Sequence, residues 1–512
     1  MRTLYTAQTV AAWLHQRVTG ELRCDSRQLQ AGDGFVAWPG AATDGRLFVT
    51  EALRAGASAA LVEHEGADAF GFDDERVAAL SGLKAQSGAV ASTYYGEPSA
   101  ELDVVAITGT NGKTSTAWWT AQLLSALQRP CAVAGTLGMG MPDGVHAPAN
   151  SALQHTGLTT PDPVMLQARL RRFVNDGVKA CAIEASSIGL VEGRLNATRI
   201  QVAVFTNFTQ DHLDFHGGMC DYWAAKAQLF DWPGLVSAVV NVDDPQGVAL
   251  AQTLALRQLD LWTVSIEDAP PFAGARLVAR DLAFTSAGLR LVVAERGAAD
   301  THTIELPLVG RYNVSNLLCV LAAARALGVP LADAVQACAS LTPVPGRMEQ
   351  VGAAQADRPL VLVDYAHTPD ALEKALQALQ PLAQQRGGAL WVVVGCGGDR
   401  DAGKRPLMAA VAEREAQHLV LTSDNPRSEN PLHILAQMAA GLADAKRPTT
   451  EPDRAQAIAW AVQNAQAQDV VLVAGKGHEA YQDVMGVKSP FSDREQAAAA
   501  LASRNHGKGA AT

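Results

Sequence analysis

Cysteine is sparse in this 512-residue sequence, and its seven residues, Cys24, Cys131, Cys181, Cys220, Cys319, Cys338 and Cys396, include no C-x-x-C pair. An odd, scattered set excludes a disulfide framework and a zinc ribbon, and fits a reducing compartment where most thiols are small buried hydrophobes. Positive charge is in deficit, with 41 Lys and Arg against 52 Asp and Glu and a net charge of −11. That balance argues against nucleic acid as a main partner. No uncharged apolar stretch reaches the ~18 residues that span a bilayer. The opening M-R-T-L-Y-T-A-Q lacks the continuous apolar segment of a signal peptide. A cytoplasmic chain without membrane insertion is therefore expected. No fixed-period repeat is visible.

What is present is ordinary globular composition, 48% hydrophobic and 18% charged, in a length that suggests about three domains at roughly 100–200 residues each. Residues 1–97 alternate short apolar runs such as F-V-A-W-P-G and A-A-L-V-E-H with turns, as in a small α/β module, and Y-Y-G-E-P-S-A (Tyr94 to Ala100) reads as a linker. Across 98–342, apolar strands at Val104–Ile107, Ala180–Ile183, Val202–Phe205 and Ala238–Val242 alternate with helical patterns, which predicts a mainly parallel, helix-covered sheet. A short antiparallel insertion is expected within 273–309. The turn-rich L-T-P-V-P-G-R marks a second boundary, and 343–512 restarts the α/β rhythm with strands at Val361–Val363, Leu390–Val394, Leu419–Leu421 and Val470–Val473. The fold class expected is α/β in three domains, the last Rossmann-like. The final G-K-G-A-A-T reads as a disordered tail.

The most informative segment is I-T-G-T-N-G-K-T-S, Ile107 to Ser115, between an apolar strand and a helical stretch at Ala117–Leu127. Backbone amides of such a loop face phosphate oxygens, and the helix dipole adds to the attraction. Gly109, Thr110, Asn111 and Gly112 would form the cradle, Lys113 would bridge the outer phosphates, and the Thr114 or Ser115 hydroxyl would face Mg²⁺. Ile107 stands where the usual phosphate-loop pattern has glycine, so a plain β-to-α turn with a solvated lysine is the alternative. Glu184 ends the strand A-C-A-I-E, at the rim where hard Mg²⁺ takes a carboxylate. Asp211, His212, Asp214 and His216 crowd the next rim, suiting a second metal or the attacking group, or else a capped polar loop. Nothing in the chemistry singles out Lys226 from a solvated helix lysine. Asn313 and Asn316 share a helix face and could hold adenine or phosphate, with N-capping as the simpler account.

In the last region four predicted strands each end in polar or Gly-rich punctuation: D-Y-A-H-T-P-D (Asp364, His367), G-C-G-G-D-R-D (Arg400), S-D-N-P-R-S-E-N and A-G-K-G-H-E. Such ends form one crevice in an open sheet. Two arginines with several carboxylates favour a zwitterionic or multiply charged ligand there.

Together T-G-T-N-G-K-T-S, E-x-S-S, T-N-x-x-x-D-H-L-D, A-A-K-x-x-L-F, G-R-x-N, G-R-M-E and D-Y-A-H-T-P-D resemble the Mur ligase family over essentially the whole chain. The box Asp424, Asn425, Pro426 and Arg427, with D-S-R at Asp25 to Arg27, is similar to the branch that adds meso-diaminopimelate. The resemblance implies an ATP-dependent carboxylate–amine ligase acting on UDP-MurNAc-L-Ala-D-Glu in peptidoglycan synthesis, working as a monomer with Mg²⁺. It implies that Lys113, Glu184, His212 and Lys226 are catalytic, with Lys226 carbamylated and sharing the metal with Thr114 and Glu184. It gives Asn313, Arg347 and Asp364 to ATP along with the loop. Ser26, Thr159, Thr160, Ser186, Glu192 and Arg194 would bind the UDP-MurNAc-dipeptide. Arg400, Asp424, Asn425, Pro426, Arg427, Gly475 and Glu479 would bind diaminopimelate. Ile188 departs from the His that many relatives carry, and Glu192 from the Gln of some. A lysine-adding ligase or a folylpolyglutamate synthase shares the build but not the D-N-P-R box. A P-loop kinase or regulatory NTPase would need no decorated third region. Phosphate release dependent on both substrates separates these readings.

Overall fold

The computed structural model describes residues 1–40, 43–142, 153–266, 274–285, 288–352, 355, 357–443 and 448–506; the expected disordered tail, 507–512, lies outside them. Among the described residues three large sheets follow one another along the chain, with a separate two-stranded hairpin near its end. The first has five parallel strands in the order Arg2–Leu4, Val77–Leu80, Ala59–Glu63, Gly34–Ala37 and Leu22–Arg23. Its strands are nearly all apolar because helices cover the sheet.

The second sheet has ten strands, and Asp103–Thr108 runs down its middle between Ala180–Glu184 and Val202–Phe205, all parallel. The loop Gly109–Gly112, Glu184 and Thr206 therefore emerge at one edge. The predicted insertion is present as Leu277–Thr285, Gly288–Glu295 and Thr301–Leu306, paired antiparallel. The helix expected at Ala117–Leu127 starts a turn earlier, spanning Lys113–Ala126. Periodicity could not show this start: Thr114, Ser115 and Thr116 are polar yet buried. The helix is buried on every side, Trp118 and Trp119 included, because helix Arg311–Ala326 covers its outer face.

The connecting segment is fastened to that helix. Trp119 Nε1 donates to Thr342 O at 3.0 Å, while Gln122 donates through Nε2 to Thr342 Oγ1 and accepts through Oε1 from the Thr342 amide. The third sheet sets four parallel strands side by side in the order Leu360–Asp364, Val470–Ala474, Leu390–Val394 and His418–Leu421. All four decorated ends meet at its carboxyl edge.

One fully buried ion pair locks this edge from behind. Arg454 Nη2 meets Asp493 Oδ2 at 2.6 Å with both side chains sealed from solvent, and the guanidinium also donates to Ser423 O and Ala474 O. Arg454→Met should destabilise the protein by about 3–5 kcal/mol, because it leaves a buried carboxylate unpaired. Arg454→Met combined with Asp493→Leu should recover most of that loss in a urea denaturation series.

Candidate active site

The phosphate-type loop turns on two glycines. Gly109 has φ 144° and Gly112 φ 86°. A Cβ on Gly109 would lie 1.9 Å from Thr206 Oγ1, and one on Gly112 2.3 Å from Asn316 Oδ1. The loop is thus pressed against its neighbours, its Thr110 amide bonded to Asn207 O at 2.9 Å. Lys113 Nζ donates to Gly109 O and Thr110 O, folded back over the loop.

Glu184 is buried beside the loop and is gripped by three donors: Thr114 Oγ1 at 3.0 Å, the Thr136 amide at 2.8 Å and Thr136 Oγ1 at 3.1 Å. Arg347 reaches over, donating to Thr114 Oγ1 at 3.2 Å, with its guanidinium 4.2 Å from the centre of the Tyr365 ring. Asp364 is held through both oxygens by the amides of Met348 and Ala366. Burial raises its pKa against the pull of Arg347. The plain reading of Lys226 as a solvated lysine is overturned. It is 1% exposed, and its Nζ donates to Gly109 O at 2.8 Å and sits over the Tyr222 ring. Burial, reinforced by Lys113, drives its pKa well down, which disfavours the ammonium form. Periodicity missed it because the groups that enclose it, Gly109 in the loop above all, are distant in sequence.

The capping account of the asparagines also fails. Helix Arg311–Ala326 is capped by the backbone at Gly310; Asn313 Nδ2 turns back to Val309 O, and Asn316 Nδ2 donates to Asn313 Oδ1. The acidic-histidine cluster does not gather into a cage; no group of three or more His, Cys, Asp or Glu able to hold a metal occurs among the described residues. Instead His216 Nε2 lies 3.0 Å from Ser187 Oγ, and Asp211 lies 3.5 Å from His212 and 3.8 Å from His367. Burial alone would raise the Asp211 pKa, but His367, His212 and Lys404 outweigh it and hold the carboxyl at about 2.

These groups border two adjoining cavities of about 210 Å³ and 780 Å³. The smaller is walled by the loop, Glu184, Lys226, Asn313, Arg347 and Asp364. The larger is walled by Arg194, Arg400, Asp424, Asn425, Arg427, Gly475 and Glu479. Thr136, Thr159, Ser186, Asp211, His212 and His367 belong to both. Five expected residues stand off the walls, Gly109 among them, pressed against Thr206 and Asn207. Thr160 is buried, holding Glu184 O at 2.7 Å and Ser186 Oγ at 2.8 Å. Pro426 is buried behind the crevice, its carbonyl against Gly398. Glu192 is paired with Lys84 at 2.6 Å. Ser26 lies on the turn Ser26–Gln28 of the first region.

Sequence reasoning missed Thr136, Lys404 and His478. Thr136 stands just past the strand Cys131–Gly135, and its place at a parallel strand's carboxyl end was the available signal. Asn111 Nδ2 also donates to Asp370 Oδ2 at 3.0 Å, so the loop contacts the third region directly.

Three family models match the chain: "Mur ligase middle domain" over 107–324, "Mur ligase, glutamate ligase domain" over 346–477, and "Mur ligase family, catalytic domain" over 20–91. The chain belongs to the Mur ligase family. It is 57% identical to a UDP-N-acetylmuramoyl-L-alanyl-D-glutamate–2,6-diaminopimelate ligase of Acidovorax sp. (strain JS42), over 98% of this chain and 99% of that one. It is 48% identical to the ligase of the same name in Janthinobacterium sp. (strain Marseille), over 94% of each. A solved structure of a ligase of that name is 35% identical, covers 95% of both chains and superposes with a TM-score of 0.62.

The histidines give the site a pH signature. Burial, then Arg347, pushes the His478 pKa from 6.5 down to about 3. Between those values the unfolded chain binds a proton that the folded chain refuses, so stability falls as pH drops through this window. His478→Gln should flatten that fall, read as a smaller change in urea midpoint between about pH 7 and pH 5.

Proposed function

We propose that this chain is the ATP-dependent ligase that adds meso-2,6-diaminopimelate to the D-Glu γ-carboxylate of UDP-N-acetylmuramoyl-L-alanyl-D-glutamate, in peptidoglycan synthesis. The observation that carries the reading is the shared wall between the two cavities. A phosphate-binding loop opens on one side of it and the D-N-P-R arginine on the other. The relatives at 57% and 48% identity carry the name of this reaction over nearly their whole length.

A carboxylate is a poor acyl donor, and phosphorylation by ATP turns its oxygen into a leaving group. The γ-phosphoryl group passes to the D-Glu carboxylate, the diaminopimelate amine attacks the acyl phosphate, and phosphate departs from the tetrahedral intermediate. The backbone of Gly109–Gly112 and Lys113 would hold the triphosphate and neutralise the transferring oxygens. Asn313, Arg347 and Asp364 would complete the nucleotide side. Thr159, Ser186 and Arg194, on the wall or beside it, suit the dipeptide end of the acceptor. Thr160 and Pro426 would act from behind, by shaping Ser186 and the crevice. His212, on the wall between the cavities, would face the reacting carboxylate. Ser26 and Glu192 would serve only the uridine end, away from the chemistry.

The donor set fits Mg²⁺: the Thr114 hydroxyl and Glu184 carboxylate are hard oxygens, buried side by side. When bound, Mg²⁺ supplies charge neutralisation for the phosphates. Burial disfavours the ammonium form of Lys226, and a neutral amine there would add CO₂, losing one proton to give an anionic carbamate. No helix among the described residues is long and apolar enough to cross a membrane. The nucleotide substrates suit the cytoplasm, and a monomer carries every group named.

Diaminopimelate differs from lysine by a second carboxylate, which Arg427 can meet in a two-toothed fashion. Lysine would leave that guanidinium without its partner. Phosphate release should require both UDP-MurNAc-dipeptide and meso-diaminopimelate. Arg427→Ala should lower kcat/KM for diaminopimelate about 100-fold or more, as expected for a lost charged pair, while the ATP KM barely moves. Equal release with lysine, or with neither amino acid, would overturn the assignment.

A further inference from the structure

Just past Glu479 the chain forms a β-hairpin, Tyr481–Val484 with Val487–Pro490, joined to no other sheet. Its side chains bury little: Val484, Met485 and Val487 are 42%, 70% and 65% exposed. Core packing does not explain its presence.

Its backbone does something specific. The first strand is stitched along the D-N-P-R box. Gln482 Nε2 donates to Asp424 O at 2.7 Å, and the Asp483 amide to Asn425 Oδ1 at 3.0 Å. The Arg427 amide then donates to Asp483 O at 2.9 Å, and the Met485 amide to Arg427 O at 2.6 Å. Arg427 is thereby held on both sides of its own Cα, in the bridge that pairs it with Val484. It needs such holding, because its φ of 51° lies in the left-handed region that a non-glycine residue enters only under strain.

The Asn425 amide is consumed in the same construction. Its oxygen accepts from Lys476 Nζ as well as from Asp483, and its nitrogen donates to Glu479 Oε2 at 2.7 Å. Asn425 thus joins hairpin to box through its oxygen and one of its two amide N–H groups. The hairpin itself closes on a two-residue turn, Met485 and Gly486, with φ of 52° and 78°. That pair of positive values is the twist-matched hairpin turn, which excludes β-branched residues.

We infer that the hairpin 481–490 is the specificity-positioning element of the amino-acid crevice: it holds the Arg427 backbone in its left-handed conformation, so that the guanidinium meets the distal carboxylate of the diamino acid. The inference rests on the proposed reaction. Tyr481 borders the larger cavity but neither Met485 nor Gly486 does, so the turn can be altered without replacing a cavity-lining side chain.

The test compares the full-length enzyme with Gly486→Val, which strains the turn, and Gly486→Asn, which tolerates positive φ. Phosphate release is measured against meso-diaminopimelate and against L-lysine, with amide hydrogen exchange across 481–490 reporting whether the hairpin has opened. Gly486→Val should raise the diaminopimelate KM about tenfold or more, leave the ATP KM unchanged and narrow the preference over lysine, as misplacing one anchoring group does. Gly486→Asn should restore both readings. Where Gly486→Val does not fold, Gln482→Leu removes one stitch and should shift the same KM about threefold. An opened hairpin with an unaltered diaminopimelate KM overturns the inference. Wild-type enzyme that releases phosphate with neither amino acid overturns the underlying reaction instead.

Discussion

Parallel strands deliver their carboxyl ends to a single edge, and in this protein two such edges face one another. Every candidate catalytic group depends on that constraint. The loop after Thr108, Glu184 and the segment after Phe205 leave the central sheet together because their strands pair in register. The ends at Asp364, Val394, Leu421 and Ala474 leave the third sheet together for the same reason. Where the edges meet, Arg347 bonds Thr114 and Asn111 bonds Asp370, so residues more than 200 positions apart share one wall.

The site is organised by burial as much as by charge. Glu184 is gripped by Thr114 and Thr136 in a water-poor setting, where a hard cation would be the natural completion of the donor set. Lys226 and Lys113 face the same buried loop, and desolvation disfavours their charged forms. The third region uses the opposite device: Arg454 with Asp493, and Lys476 with Glu479, are buried cations with partners, and they hold loops in place. Fixed charge there holds the loops of the crevice proposed to take the amino acid, so its groups need little rearrangement.

Much of this was legible in the sequence. The strands announced themselves as short apolar runs, and the glycines with Lys113 marked the loop. Lys226 shows where residue-level reasoning stopped. Helical spacing cannot tell a solvated lysine from one sealed by a neighbouring segment; only the family resemblance gave it a role. Thr160 and Pro426 show the converse, since motif position named them but burial puts them behind the wall. Asn313 and Asn316 offered capping as the simpler account, yet a glycine backbone starts that helix and frees both amides for other bonds.

The sequence by itself determined the local chemistry: which strands form, where the chain turns, and which polar groups stand at strand ends. Those follow from residue type and from separations of a few positions. Tertiary structure alone decided which ends share a cavity, which cations lose their water, and that a solvent-exposed hairpin fixes the backbone of Arg427. Such properties depend on contacts between distant segments, and a linear pattern carries no record of which segments will come to lie against one another.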